Sequence, residues 1–280
     1  MTQTPPFVPP QVQDAAHGHE LAPVLSAVTR AGDGLLEFWS DRDRLDVAEK
    51  RAGDFVSAAD RQTEQMLRDT LCRPGDHWLG EETHSPRPPA QDAARVWIVD
   101  PLDGTTNFLR GIGHWAISVA LQVDGVRVLG VVHDPLRRET FYAVRGAGAF
   151  LNGVPMHAAQ TPRLQDALFG TGIPFGQMAH IDAHAADIAR LMPLCAGVRR
   201  MGAAALDLAY VACGRLDGFW ERRLQPWDIA AGLVLMHEAA VQVEALNPAE
   251  TPEATGTVLA ACVPLFDPFA AVLRRAPPNG

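Results

Sequence analysis

Residues 96–108 read Val-Trp-Ile-Val-Asp-Pro-Leu-Asp-Gly-Thr-Thr-Asn-Phe, an apolar run that ends abruptly in two carboxylates three residues apart. A short β-branched run of this kind is a buried strand, so any fold must accommodate a sheet whose strand ends in acid. Pro101 has no amide hydrogen to give a neighbouring strand, and the expectation is that it ends the pairing and lets Asp100 and Asp103 converge at the strand end. Gly104-Thr105-Thr106-Asn107 then suits the start of a helix or turn with free backbone amides, which bind anions and phosphate in particular. One short segment thus offers hard oxygen ligands for a divalent cation beside a phosphate cradle. Taken by itself, Asp-x-x-Asp-Gly serves equally well as a turn and helix cap.

The surrounding pattern is layered. From Glu20 to Trp39 the apolar residues Leu21, Val24, Leu25, Val28, Leu35, Leu36 and Trp39 recur at helical spacing, and a second helix starts near Ser57 and stops at Pro74-Gly75. Strands are expected at Val96 to Val99, Ala116 to Val123, Val126 to Val132 and Thr140 to Val144, with hairpin turns at Asp124-Gly125 and Asn152-Gly153. Helices return at Met178 to Met192, Ala203 to Cys213 and Pro226 to Ala240, interleaved with short strands of which Gly256 to Val263 is the clearest. The fold class is α/β, in one domain over 20–274 with subdomains of about 20–155 and 156–274. Residues 1–19 and 275–280 read as tails.

Composition narrows the function. With 24 Lys plus Arg against 33 Asp plus Glu the formal charge is −9, so the chain as a whole repels nucleic acid and anionic membranes, and neither is expected as a partner. Cys72, Cys195, Cys213 and Cys262 are scattered and resemble neither a zinc site nor a disulfide framework, which points to a reducing, cytoplasmic setting. No secretory signal and no membrane-length apolar run is expected.

Two further acidic segments bear on the first. Gly80-Glu81-Glu82 follows Trp78-Leu79 at the end of another expected strand, and Gln225-Pro226-Trp227-Asp228-Ile229-Ala230-Ala231-Gly232 places one carboxylate at the head of an apolar helix. Alone, the first is a solvated pair and the second a helix cap. Together, Gly80-Glu81-Glu82, Asp100-Pro101-Leu102-Asp103-Gly104-Thr105-Thr106 and Trp227-Asp228-Ile229-Ala230-Ala231-Gly232 resemble, in order and spacing, the signatures of the inositol monophosphatase family. The resemblance runs from about Leu21 to Phe266 and includes the stretches 50–60, 170–175 and 204–212.

That resemblance implies an αβαβα sandwich and magnesium-dependent, lithium-sensitive hydrolysis of a small phosphate monoester, myo-inositol 1-phosphate above all, by a cytoplasmic homodimer. Glu81, Asp100 and the Leu102 carbonyl would hold one Mg²⁺, and Asp100, Asp103 and Asp228 a second. A third, weaker ion would sit near Glu81. Thr105 with Asp60 would orient the attacking water, Gly104, Thr105 and Thr106 would receive the phosphate, and Glu221 would contact the polyol. Independently of the resemblance, clustered carboxylates without His or Cys favour a hard cation over zinc.

Several residues have bland readings. Lys50 lies in a charged segment that is a mobile flap in the family, and it stays outside the catalytic set. Ser57 is a cap. His114-Trp115 lines the pocket rim or packs, Arg199-Arg200 is exposed charge or a basic edge, and Gly172 and Gly176 mark a turn. Two departures from the family stand out: Met201-Gly202-Ala203 lacks a serine that often follows the glycine, and Ala239-Ala240 replaces a Gly-Gly pair. The rival readings are a histidinol-phosphate or other small sugar or nucleotide phosphatase, and a regulatory binding protein that has lost catalysis. The first usually carries Lys-Ser where this chain has Thr106-Asn107.

Overall fold

The computed structural model describes residues 7–42, 47–51, 54–83, 94–173 and 181–275. Helices α1 (Pro10–Gln13) and α2 (Leu21–Ser40) lead to the hairpin β1 (Val47–Arg51) and β2 (Asp54–Ser57) and to helix α3 (Ala58–Leu71). A seven-stranded sheet follows: β3 (His77–Gly80), β4 (Arg95–Asp103), β5 (Ala116–Val123), β6 (Val126–Asp134), β7 (Glu139–Val144), β8 (Ala149–Leu151) and β9 (Val154–Pro155), with α4 (Thr105–Arg110) after β4. The later part holds β10 (Leu168–Thr171), α5 (Ile181–Leu191), β11 (Gly197–Arg199), α6 (Ala204–Ala212), β12 (Gly218–Glu221) and α7 (Pro226–Glu238). It closes with β13 (Val241–Glu244), α8 (Pro252–Thr255), β14 (Val258–Cys262) and α9 (Val263–Leu273), and its sheet runs β11-β10-β12-β14-β13.

Strand periodicity sorts side chains into two cores. From β4, Val96 and Ile98 join Phe141, Leu208 and Leu235 between the sheets, whereas Trp97 and Val99 join Leu25, Val28 and Leu67 under α2 and α3. The inter-sheet face is built from small residues, Ala116, Ala120 and Ala143 among them. Backbones approach closely there: a Cβ on Gly130 would lie 2.5 Å from the Ala231 oxygen, and one on Gly232 would lie 2.6 Å from Leu208 Cδ1. So α7 is held between β6 and α6. With α5 and α9 covering the second sheet, the layers run helix, sheet, helix, sheet, helix.

Both expected two-residue hairpin turns form, with Asp124 and Gly125 at φ 48° and 78° and Asn152 and Gly153 at 50° and 86°, the geometry that follows the twist of the flanking strands. Four differences from the sequence reading have physical causes. The stretch read as a tail is packed from its seventh residue: Val12 is fully buried and Tyr142 donates its hydroxyl proton to the Phe7 carbonyl at 3.0 Å. The charged segment between the first two helices carries the β1–β2 hairpin, whose backbone pairing does not depend on apolar side chains. Pro101 does not end β4, since pairing passes from Asp100↔Ser118 to Asp103↔Ala116 across a bulge. Helix α9 starts beyond the last expected strand, with Pro264 in its first turn where no amide hydrogen is needed. The start of the helix expected from Met178, together with Gly176 and residues 276–280, lies outside the described residues.

After α7, Ala240 has φ 61°, a left-handed conformation that costs a non-glycine residue about 1–2 kcal/mol. We expect Ala240→Gly to stabilise the protein by about 0.5–1 kcal/mol once the glycine entropy is deducted. A urea unfolding midpoint that fails to rise refutes this.

Candidate active site

The bulge in β4 explains how Asp100 and Asp103 act together. Residues three apart on a regular strand face opposite sides, and one extra residue on β4, Pro101 and Leu102 against Ile117 alone, returns the two carboxylates to the same side. The Leu102 amide donates to Asp100 Oδ1 at 2.9 Å and so holds the bulge closed. Asp103 Oδ2 accepts from the Ala205 amide at 2.7 Å, in the first turn of α6. The parallel β3 sets Glu81 beside Asp100, because the Glu81 amide donates to the Val99 carbonyl at 3.1 Å. Asp228 stands in the first turn of α7, where its Oδ2 accepts from the Gln225 amide at 2.7 Å in a reciprocal capping box.

Glu81, Asp100, Leu102, Asp103, Gly104, Thr105, Thr106, Glu221 and Asp228 all line one cleft of about 150 Å³. Asp60 is fully buried in the first turn of α3, and the Thr105 hydroxyl lies 2.9 Å from its Oδ1 and 3.0 Å from the Leu102 carbonyl. Having one proton, that hydroxyl donates to one of them at a time. The Thr106 hydroxyl is buried on the cleft wall without a partner in the structure. Beneath this wall Trp115 packs against Phe108 and Trp39 with ring centroids 5.0 and 5.4 Å apart, seating α4 on the end of α2.

Burial, then the charges of Glu81, Asp103 and Asp228, push the Asp100 carboxyl well above the usual range. A side-chain hydrogen bond joins it to Glu81. Burial also pushes Asp103 up to about 7, Asp207 adding to the rise and the Ala205 amide opposing it. Glu221 is raised by burial and by Asp228 and Asp207, with the Arg200 guanidinium opposing. As the side chains stand, no group of three or more described acidic, imidazole or thiol side chains is gathered to hold an ion. The Glu81–Asp100 hydrogen bond and the turn of Asp228 toward its own helix end account for this. The donor set nevertheless fits a hard divalent cation: it is all oxygen, and its mutual repulsion is what such a charge relieves.

The structure corrects and extends the sequence reading around the cleft. His114 is buried behind the wall, its Nε2 2.9 Å from Asp207 Oδ1. Gly172 is not merely a turn residue: it lines the cleft against the Glu221 carboxylate, with no room for a side chain. Asp207, Arg200 and Arg223 also line the cleft and carried no role in the sequence reading. A lone acid inside the apolar run of α6 is the one signal that would have singled out Asp207. The side chains of Lys50 and Ser57 lie outside what is described.

Glu64 on α3 was likewise missed. It is buried and accepts from the Glu82 amide at 2.7 Å, from Trp78 Nε1 at 3.3 Å and from the Thr83 hydroxyl, tying down the turn that carries Glu81. We expect Glu64→Ala to cost about 2–3 kcal/mol by leaving buried donors unpaired. Calorimetry that shows an unchanged Tm contradicts this.

Comparison with known proteins agrees with the geometry. The model of the inositol monophosphatase family matches residues 19–271. An inositol-1-monophosphatase of Rhizobium meliloti is 46% identical over 218 residues, covering 77% of this chain and 81% of the relative. The Nus factor SuhB of Escherichia coli is 37% identical over 236 residues, covering 84% and 88%. The crystal structure of extragenic suppressor protein SuhB from Bartonella henselae superposes with a TM-score of 0.86 at 36% identity, covering 91% of this chain and 98% of that one. Matched over nearly its whole length, in fold and in sequence, the chain belongs to the inositol monophosphatase family and is a phosphatase of small phosphorylated substrates.

Proposed function

We propose that this phosphatase hydrolyses a small polyol phosphate, with myo-inositol 1-phosphate as the reference ester, and that it uses Mg²⁺. The observation that supports this most is the convergence of Glu81, Asp100, Asp103 and Asp228 on one cleft beside the Thr105–Asp60 hydrogen bond. Glu81, Asp100 and the Leu102 carbonyl would hold one ion, and Asp100, Asp103 and Asp228 a second. When bound, such ions make a coordinated water more acidic and neutralise charge on the phosphate.

The chain's own residues then do the positioning. Asp60 fixes the Thr105 hydroxyl as a donor, which leaves the oxygen lone pairs of Thr105 to accept a hydrogen bond from the attacking water. The amides and hydroxyls of Gly104, Thr105 and Thr106 receive the phosphate oxygens, and the unpartnered Thr106 hydroxyl gains an acceptor there. Glu221 meets the polyol. Its raised proton affinity makes it a donor as well as an acceptor toward hydroxyl groups. The same reading makes the protein a lithium-sensitive homodimer.

The test is phosphate release from inositol 1-phosphate, histidinol phosphate, fructose 1,6-bisphosphate and adenosine 3′,5′-bisphosphate, each with Mg²⁺ and with EDTA. Magnesium-dependent turnover of polyol esters supports the proposal. Turnover that EDTA leaves intact removes the ion assignment, and preference for the histidinol ester replaces the substrate.

A further inference from the structure

Two arginines stand on a cleft otherwise lined with acids. Arg223, in the turn after β12, has φ 59° and so holds a strained left-handed conformation. The turn is fixed by its neighbours, since the Leu224 amide donates to the Gly256 carbonyl at 2.8 Å and Arg222 is paired with Asp187. The Arg200 guanidinium lies across Gly202: with φ at 88°, a Cβ there would come within 2.9 Å of Arg200 Nη1. The Gly202 turn is held in turn by Asn107 Nδ2, which donates to the Met201 carbonyl at 2.8 Å. Arg200 and Arg223 both line the cleft. Neither makes a hydrogen bond or ion pair with a described residue, although Asp207, Glu221 and Asp228 line the same cleft.

A neutral polyol has no use for them. Its hydroxyls are met by a carboxyl such as Glu221, whereas the planar guanidinium fork matches a phosphate or carboxylate. The scissile phosphate is already provided for at the Asp100 end. An anion on the departing alcohol would face the repulsion of the cleft's carboxylates unless something offset it, and the two guanidinium groups are placed to do so. We infer that Arg200 and Arg223 receive a second anionic group on the polyol, so that the preferred substrate is a polyol phosphate bearing a further phosphate or carboxylate. This rests on the phosphatase reading above.

Two matched pairs of esters test it: myo-inositol 1-phosphate against the 1,4-bisphosphate, and glucitol 6-phosphate against gluconate 6-phosphate, each with Mg²⁺. The wild-type protein is expected to show a kcat/KM about tenfold higher for the anion-bearing partner of at least one pair, the value of one charge-assisted hydrogen bond. The pair that shows it identifies the anion as phosphate or carboxylate. Arg223→Asn, chosen because asparagine tolerates the left-handed backbone, should bring that ratio down about tenfold, and Arg200→Gln should lower it too. Rising ionic strength should erode the ratio in the wild type. A merely structural role for Arg223 moves both members of a pair together, and an unchanged ratio in both variants, or a wild-type ratio near one, overturns the inference. Absence of turnover on every ester instead overturns the phosphatase reading and the inference with it.

Discussion

Asp100→Asn is expected to lower kcat/KM at least a thousandfold, about 4 kcal/mol of transition-state stabilisation. The proposed roles converge on this side chain, which would contact both ions while its backbone forms the bulge. An amide oxygen keeps the hydrogen bond from the Leu102 amide but carries no charge with which to bind a cation. The loss should come without unfolding. Asp100 is buried among Glu81, Asp103 and Asp228, and its carboxyl is held well above the usual range by that burial and those charges, so removing the charge relieves repulsion and the metal-free variant should melt no lower than wild type. Activity within tenfold of wild type, in a variant that melts normally, would remove Asp100 from the ion site.

The second large effect is on stability. Asp103 is pushed up to about 7, and Asp100 and Glu221 are raised as well, in each case chiefly by burial. Between the ordinary carboxylate range near 4 and about 7 the folded protein therefore binds more protons than the unfolded chain, and stability falls as pH rises through that window. In EDTA, the Tm should drop from pH 5 to pH 8. Mg²⁺ competes with protons for the same oxygens, so the rise it brings should be small at pH 5 and about 5 °C or more at pH 8 at saturating metal. Scanning calorimetry at the two pH values decides the matter. An equal Mg²⁺ increment at both would mean that the cation does not bind at these carboxylates.

Much of this cleft is legible in the sequence because its chemistry sits where local rules are strong. The apolar run into Asp100, the paired glutamates after Trp78-Leu79 and the acid at the head of α7 are each anomalous beside their neighbours, and all of them line the cleft. The Asp124-Gly125 and Asn152-Gly153 turns are equally readable, since few residue pairs accept two positive φ values in succession. What escapes depends on partners distant in the chain. Glu64 becomes important only when the turn after β3 docks on α3, and Arg223 only when its turn folds against Gly256. The packed residues before α2 lack periodicity because a single side chain, Val12, anchors them. The prolines at 264 and 268 read as breakers, and only the sheet beside α9 shows that they are tolerated.

The grip on α7 has an evolutionary consequence. With Gly130 and Gly232 leaving no clearance on either flank, the helix cannot slide or rotate to suit a new substrate, and the position of Asp228 is inherited with the packing of the whole molecule. The turn of Arg222 to Gln225 just ahead of it is under no such constraint, with Arg223 and Gln225 exposed. Descendants of this chain can therefore explore new leaving groups by exchanging a few residues in that turn, while the apparatus that breaks the phosphate ester is passed on unaltered.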